Sequence, residues 1–276
     1  MFNFNVMLIR FFINELKDQY QVTFGKLEPE FENILMWAGN SILEIISGTD
    51  ALYHNLEHTM LVTLAGQEII RGKQLKEGGI KPNEWLNFII ALLSHDVSYV
   101  RGILRNDKNG KYDTGVEDVL ISLEKGSTDA SLTAYHVDRS IQFVYERFEK
   151  IKYLDVDEIT SYIEMTRFPI PTDNNHKDTK TLKGLTRAAD LIGQLGDPDY
   201  LKKAPALFYE MQEAKSNSKV SYMNPYDLKK SYAKFYWETV SPYIQDAMSY
   251  LKMTPEGKMW IAQLHAHVFD AEHERI

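Results

Sequence analysis

The spacing of apolar residues is the feature of this sequence that most narrows its fold. Between Phe31 and Ile46, apolar residues recur every three or four positions, which is the period of an amphipathic α-helix. Comparable spacing recurs along the chain, and no alternation of apolar and polar residues is long enough to require a sheet. The sequence therefore predicts an all-α fold, a multi-helix bundle.

Proline, glycine and polar clusters divide this pattern into separate helices. In Pro225–Lys252, Pro242 is expected to kink the helix, since proline lacks an N–H and clashes with the preceding turn. The 276 residues are expected to form one large helical domain, 1–276. Predicted helices cover Met1–Ile13, Phe31–Ile46, about Ala51–Ile70, a segment from Pro82 through His95, Val119–Leu123, Ser131–Ile151, Val156–Thr166, a segment around Asp190, Ala204–Lys215, Pro225–Lys252 and Pro255 to the end.

Composition excludes several function classes. The chain has no cysteine, which rules out disulfides, thiolate metal sites and cysteine nucleophiles, so any metal must be bound by histidine and carboxylate groups. A formal charge of -8 disfavours binding to a nucleic-acid polymer, since such binding depends on Lys and Arg. No segment approaches the roughly 20 apolar residues of a membrane span, and the start lacks a signal-peptide pattern. We expect a cytoplasmic protein without a membrane partner; the sequence leaves homo-oligomerisation open.

The first candidate cluster is Tyr53-His54-Asn55-Leu56-Glu57-His58. If a helix runs from about Ala51, His54 and His58 lie on one face with Cβ atoms about 5–6 Å apart. Two imidazoles could then converge on one site. Two partly exposed polar side chains near a helix start would show the same spacing.

Two further elements carry carboxylates. His95 continues the apolar stripe of a helix toward the interior, and Asp96 follows it directly. A carboxylate at a helix C-terminus meets an unfavourable dipole, which a bound cation would offset. Asp190 lies among small and apolar residues, where an ion pair with Arg187 is the simpler alternative. Together, imidazoles and carboxylates on three helical segments form a ligand set suited to Mn, Fe, Zn, Mg or Ni.

This order of His, His-Asp and Asp resembles the HD-domain superfamily of metal-dependent phosphohydrolases. The Tyr53-His54-Asn55 motif followed by His58 is similar to the Tyr-His-Asn-x-x-His signature of the cyclic-nucleotide phosphodiesterase branch, and Ala189-Asp190 resembles its terminal Asp motif. The resemblance spans about 53–193. It implies a catalytic core of about 51–196, with N-terminal helices in 1–50 and C-terminal helices in 200–276 packed on it.

The resemblance also implies roles for single residues. His58, His95, Asp96 and Asp190 would ligate a divalent metal, with Asp96 also catalytic as a bridge to a second metal. His54 would be the general acid that protonates the leaving oxygen after attack by metal-activated water. The implied substrate is a small phosphorylated compound, a nucleotide or cyclic nucleotide.

The chain departs from the phosphodiesterase pattern at Tyr99, where a third histidine is expected three residues after the Asp. This puts the second metal in doubt. Tyr99 could hydrogen-bond a metal-bound water, and His136 or His176 could substitute for the missing imidazole, although both are also ordinary surface histidines. The candidates for substrate contacts are Asn55, Tyr99, Arg101 and Arg187.

Two other function classes compete with the phosphohydrolase. One treats His54, Glu57 and His58 as a zinc-protease motif with two histidine ligands and a glutamate base, which leaves His95, Asp96 and Asp190 without roles. The other is a degenerate HD-like protein that binds a ligand without turnover, suggested by Tyr99 in place of the expected histidine.

Overall fold

The computed structural model describes residues 3–117, 119–214 and 222–274. The all-α prediction is confirmed, because helices build the packed core and the described strands form only a small two-stranded sheet. The helices are α1 Phe4–Phe24, α2 Pro29–Ile46, α3 Leu56–Glu77, α4 Pro82–Ser94, α5 His136–Phe148, α6 Val156–Ile163, α7 Leu182–Leu195, α8 Tyr200–Glu213, α9 Pro225–Lys230, α10 Tyr232–Phe235, α11 Ser241–Leu251 and α12 Pro255–Glu272.

The centre of the molecule is the packing of α3 on α7, and α4 and α11 each pack against both. In the N-terminal part, α1 packs on α2 and α2 on α4, while α5 and α6 pack together beside α4. The buried side chains of these helices form one continuous hydrophobic cluster. Burial of this apolar surface is the main force that holds the helices together.

Helix α3 begins later and ends later than predicted. The side chain of Asn55 accepts hydrogen bonds from the amides of Glu57 and His58 and so caps the helix at Leu56 rather than at Ala51. The helix then continues past Ile70 to Glu77, and Gly78 ends it with a φ of 70°, a conformation that favours glycine. His54 therefore precedes the helix, and the prediction that His54 and His58 share a helix face is wrong.

Three other predicted helices differ from the structure. Val119–Leu123 contains a strand, β2 Leu120–Ser122, which pairs antiparallel with β1 Lys111–Asp113, because periodicity in so short a segment does not separate helix from strand. Ser131–Ile151 is a 3₁₀ helix over Asp129–Tyr135 followed by α5. Pro225–Lys252 is divided into α9, α10, a π-helical turn over Tyr236–Val240 and α11, and Pro242 lies in the first turn of α11.

The remaining predictions agree with the structure apart from their ends. The predicted limits Lys215 and Ile276 fall outside the described residues. Within residues 3–117, 119–214 and 222–274, none of the helices has the length and apolar content needed to cross a membrane.

Two glycines allow α3, α4 and α7 to approach closely. A Cβ on Gly193 of α7 would lie 2.5 Å from the Cα of Val62 on α3. A Cβ on Gly66 of α3 would overlap Leu92 of α4 and come within 3.2 Å of Ala189 on α7. These contacts bring the backbones of the three helices together close to the residues predicted to bind metal.

We expect Gly193→Ala to lower the free energy of unfolding by about 1–3 kcal/mol, because the new methyl group would push the α3 and α7 backbones apart. Alanine is the better helix former by about 1 kcal/mol, so the sign of the change reports the close packing. Chemical denaturation measures it. Gly39→Ala is the matched control, since its Cβ would mainly meet the movable end of the Ile13 side chain. A Gly193→Ala protein as stable as the wild type would contradict the expectation.

Candidate metal centre

His58 lies in the first turn of α3, and its side chain is buried. Its side chain is 4% exposed, and its Nε2 is 3.3 Å from Asp96 Oδ2 and 3.6 Å from Asp190 Oδ1. The Asn55 carboxamide that caps α3 also donates to the Leu52 carbonyl. Both ends of the Asn55 side chain are therefore engaged with backbone, which assigns it to holding the helix start rather than to substrate contact.

His95 and Asp96 lie where α4 ends. The Nδ1 of His95 donates to the Leu92 carbonyl at 2.7 Å, which directs Nε2 toward the carboxylates. That nitrogen is 3.2 Å from Asp96 Oδ2 and 3.7 Å from Asp190 Oδ1. Both side chains are at most 4% exposed. A helix end thus delivers a nitrogen and an oxygen ligand to one buried point.

Asp190 completes the set from α7. The ligand atoms of His58, His95 and Asp190 lie within 4.8 Å of one another, and Asp96 Oδ2 lies 3.2–3.3 Å from the two imidazoles. Around an ion with bonds of about 2.1 Å, neighbouring ligand atoms are about 3–3.4 Å apart. The four residues predicted as metal ligands are therefore together, and we call them the quartet.

The surroundings of His95 Nε2 test whether the quartet fits a cation. This buried nitrogen makes no hydrogen bond of good geometry in the described part of the chain, and its polar contacts are the ion pairs with Asp96 Oδ2 at 3.2 Å and Asp190 Oδ1 at 3.7 Å. Buried polar atoms are normally paired. Two carboxylates and two imidazoles of nitrogen and oxygen chemistry surround that atom, so the donor set fits a divalent cation.

The charges of the quartet shift its ionisation. Burial raises the pKa of Asp96, but the neighbouring His95 and His58 outweigh this effect and hold the pKa well below its usual value. Burial lowers the pKa of His95, but the Asp96 and Asp190 charges raise it to about 9. Asp96 is thus a carboxylate at neutral pH, and His95 holds a proton that a cation would have to displace.

His54 lies beside the quartet in the non-helical segment that precedes α3. Its Nδ1 is 2.6 Å from Glu210 Oε2 on α8, and Glu210 Oε1 accepts the backbone amides of Tyr53 and His54 at 2.6 and 3.2 Å. Burial lowers the pKa of His54, but Glu210 outweighs it and raises the pKa to about 8. His54, His58 and Asp96 can also bring ligand atoms within 4.8 Å, so the free edge of the His54 ring faces the quartet.

Tyr99, His136 and His54 line the site beside the quartet, and we call these three rings the site wall. The Tyr99 ring is stacked on His54 with centroids 4.7 Å apart and an angle of 5°, and its centroid is 5.0 Å from that of His136. The Nδ1 of His136 donates to the Thr133 carbonyl, and its Nε2 is 3.7 Å from Asp96 Oδ1. Burial lowers the pKa of His136, which favours the neutral ring that metals bind.

Solvent reaches the site from one side. The side chains of Asp190, His54 and His136 are 19%, 18% and 14% exposed, whereas those of the other quartet residues are at most 4% exposed. His58, His95 and Asp96 therefore form a buried floor, and a ligand would approach over Asp190 and the His54 and His136 rings.

The two arginines predicted to contact substrate are engaged elsewhere. Arg101 forms ion pairs with Asp50 and Asp129 at 2.6 and 2.5 Å. Arg187 is 1% exposed, and its guanidinium donates to the His176 and Asp178 carbonyls. We correct both assignments, because these groups hold loops in place.

Of the two histidines considered as substitutes for the missing imidazole, only His136 joins the site. His176 is 2.8 Å from Asp173 and 3.6 Å from Glu164, in the stretch between α6 and α7. Glu210 is a site residue that the sequence reasoning missed. It is 156 residues from His54 in an ordinary helical pattern, and only its burial among polar partners distinguishes it.

Comparison with known proteins identifies the family. The family model described as Npun_R2479-like matches residues 2–274, so the chain belongs to the Npun_R2479-like family. No curated protein and no solved structure matches the chain.

We expect Asp190→Ala to lower the bound divalent metal to near zero, because the substitution removes one carboxylate from the predicted ligand set. Elemental analysis of the purified variant measures this loss. Asp246→Ala is the control, since Asp246 accepts a hydrogen bond from Thr179 and lies outside the quartet. Full metal content in a folded Asp190→Ala protein would exclude Asp190 as a ligand.

Metal affinity should rise with pH. Because His95 has a pKa of about 9 without a cation, binding at its Nε2 releases a proton at neutral pH, and the apparent affinity should rise about tenfold per pH unit up to that pKa. Competition with a chelator between about pH 6 and 9 measures the slope. An affinity that does not change over this range would argue against ligation by His95.

Proposed function

We propose that this member of the Npun_R2479-like family is a metal-dependent phosphohydrolase that cleaves a phosphoester by metal-activated water. The observation that carries the proposal is the convergence of the His58 and His95 imidazoles on the Asp96 and Asp190 carboxylates, with ligand atoms 3.2–3.7 Å apart. A cation held by His58, His95, Asp96 and Asp190 would supply Lewis acidity, lowering the pKa of a water molecule and neutralising charge on phosphate. Mn, Fe, Zn, Mg and Ni all suit this donor set.

His54 is the proposed general acid. Glu210 accepts the Nδ1 proton at 2.6 Å and fixes the ring, and a ring nitrogen of His54 lies within 4.8 Å of ligand atoms of His58 and Asp96. The raised pKa, about 8, favours the protonated ring at neutral pH. His54 can thus give a proton to the leaving oxygen, and the Glu210 carboxylate stabilises the charged ring before transfer.

A second cation is proposed beside Asp96 and His136. Asp96 directs Oδ2 toward His58 and His95 and Oδ1 toward His136. Asp96 and His136 would hold this cation, which would supply further Lewis acidity. His136 would supply the imidazole that the phosphodiesterase pattern places at the position of Tyr99.

The zinc-protease alternative is disfavoured by Glu57. Its side chain is 60% exposed and pairs with Lys203 at 2.8 Å, whereas the protease motif needs this carboxylate as a base beside the metal. His54 also precedes α3, so the two histidines do not form the paired ligands of one helix. The degenerate binding protein remains the second candidate, motivated by Tyr99.

The proposed substrate is a small phosphorylated compound, a nucleotide or cyclic nucleotide, and we propose that the enzyme acts on it in the cytoplasm. The chain has 39 acidic against 31 basic residues, which favours a small ligand over a nucleic-acid polymer.

We expect the purified, metal-containing protein to hydrolyse bis-p-nitrophenyl phosphate or p-nitrophenyl phosphate and to leave casein intact. His54→Ala should retain its metal and lose about 10²–10⁴-fold in turnover, as expected for loss of a general acid. The release of p-nitrophenol and elemental analysis give the two measurements.

His273→Ala is the control for this experiment, because His273 is exposed at the end of α12 and bonds only locally, to the Phe269 carbonyl and ring. Proteolysis without phosphatase activity would overturn the proposal. Metal loss from His54→Ala equal to that from Asp190→Ala would make His54 a ligand instead of the acid.

A further inference from the structure

Asp129 links the segment in which it lies to two other segments that are distant in the sequence. It is 3% exposed and begins the 3₁₀ helix that leads into α5. Its Oδ2 accepts the Thr49 hydroxyl at 2.9 Å and the Asp50 amide at 3.4 Å. Its Oδ1 accepts Nε and the backbone amide of Arg101 at 2.5 and 3.3 Å. One buried carboxylate therefore fixes two other loops.

The neighbours of Asp129 bind one another as well. Asp50 accepts the Asp129 amide at 2.6 Å and an Arg101 guanidinium N–H at 2.6 Å. Glu213 of α8 accepts the amide and hydroxyl of Thr128 at 2.6 and 2.7 Å. Charged partners strengthen these hydrogen bonds. We call the group the Asp129 junction, and its members are Thr49, Asp50, Arg101, Thr128, Asp129 and Glu213.

Each segment that meets at the junction carries or adjoins a residue of the site wall or, in α8, carries Glu210, which holds His54. Thr49 and Asp50 begin the segment that contains His54, and Arg101 follows Tyr99 by two residues. The 3₁₀ helix that begins at Asp129 leads to His136. Glu213 lies one helical turn after Glu210.

The quartet has a different support. His58 and Asp190 lie on α3 and α7, and His95 ends α4, so the close packing of these helices holds them. The segment between α2 and α3 has no helical hydrogen-bond ladder of its own. Its position is set by Asp129 at residues 49–50 and by Glu210 at residues 53–54.

We propose that Asp129 is a positioning residue, which through Thr49, Asp50 and Arg101 sets where the His54 and Tyr99 rings lie relative to the quartet. The inference rests on the proposed function, since it assigns this alignment to proton transfer by His54. A small displacement of a positioned acid is costly, because about 1 Å can reduce turnover about 10²-fold. The metal ligands themselves should be unaffected.

The test compares Asp129→Asn with Asp138→Asn in the full chain, each alone and together with His54→Ala. Asp138 is the matched control, because it accepts two N–H groups of Arg167 outside the junction. We expect Asp129→Asn to keep its metal, to lose about 10- to 100-fold in kcat and to change KM little. In the His54→Ala background it should cause no further loss beyond about twofold, since a positioning effect disappears with the group positioned.

Histidine side-chain NMR provides a readout that needs no substrate. The chain has 8 histidines, and the His54 ring signals are identified by their loss in His54→Ala. Asp129→Asn should shift or broaden the His54 Nδ1 proton that Glu210 holds, whereas Asp138→Asn should leave it in place. Should Asp129→Asn fail to fold, Thr49→Val removes one of the same hydrogen bonds and is expected to shift the same signal by less.

An unshifted His54 signal in both Asp129→Asn and Thr49→Val would overturn the inference. So would an equal loss of kcat with and without His54, which would indicate general destabilisation. If the protein hydrolyses no phosphoester but the His54 signal shifts in Asp129→Asn, the positioning by Asp129 stands and the phosphohydrolase proposal alone fails.

Discussion

The concentration of charge between α3, α4 and α7 is the constraint on which the rest of the site depends. Asp96 and Asp190 lie within 3.7 Å of the His58 and His95 imidazoles. Removing such groups from water is costly unless each finds a partner. The carboxylates and imidazoles meet this requirement by pairing with one another, although the Nε2 of His95 makes no hydrogen bond of good geometry in the described part of the chain. The proposed cation would bind this nitrogen and the two carboxylates together.

The site has two supports of different physical character. Apolar packing at glycine positions holds the quartet, because α3 and α7 approach so closely at Gly193 that a methyl group would meet the Val62 backbone. Carboxylates hold the site wall, where Glu210 fixes His54 and Asp129 fixes the loops around it. Helix packing is rigid, whereas a loop without regular backbone hydrogen bonds depends on a few hydrogen bonds to charged side chains. Substitutions should therefore be able to perturb the proposed metal binding and the proposed proton transfer separately.

The helices were predictable where the periodic pattern is long. In α2 the buried residues form the stripe that the spacing of apolar residues already outlines, and the strongly apolar α4 is buried at every position from Trp85 to Ser94. The start of α3 was not predictable, because Thr49, Asp50 and Asn55 are all acceptable N-caps and the spacing of His54 and His58 suits a helix. Asn55 caps the helix, since Glu210 and Asp129 bind the preceding residues in a non-helical conformation. Long-range contacts outweighed local preference there.

The order and chemistry of the residues by themselves determined the all-α fold, the exclusion of thiolate chemistry, and the candidacy of His58, His95, Asp96 and Asp190. These follow from side-chain type and from helical period, which are local properties of the chain. Only the tertiary structure decided that His136 and Glu210 belong to the site and that Arg101, Arg187 and Asn55 support loops and a helix end. The partners of His136, Glu210 and Arg101 lie tens of residues away in the sequence, and His54 and Glu210 are separated by 156 residues. Which residues pair depends on where the packed helices leave a buried charge without a partner. No local sequence pattern contains this information.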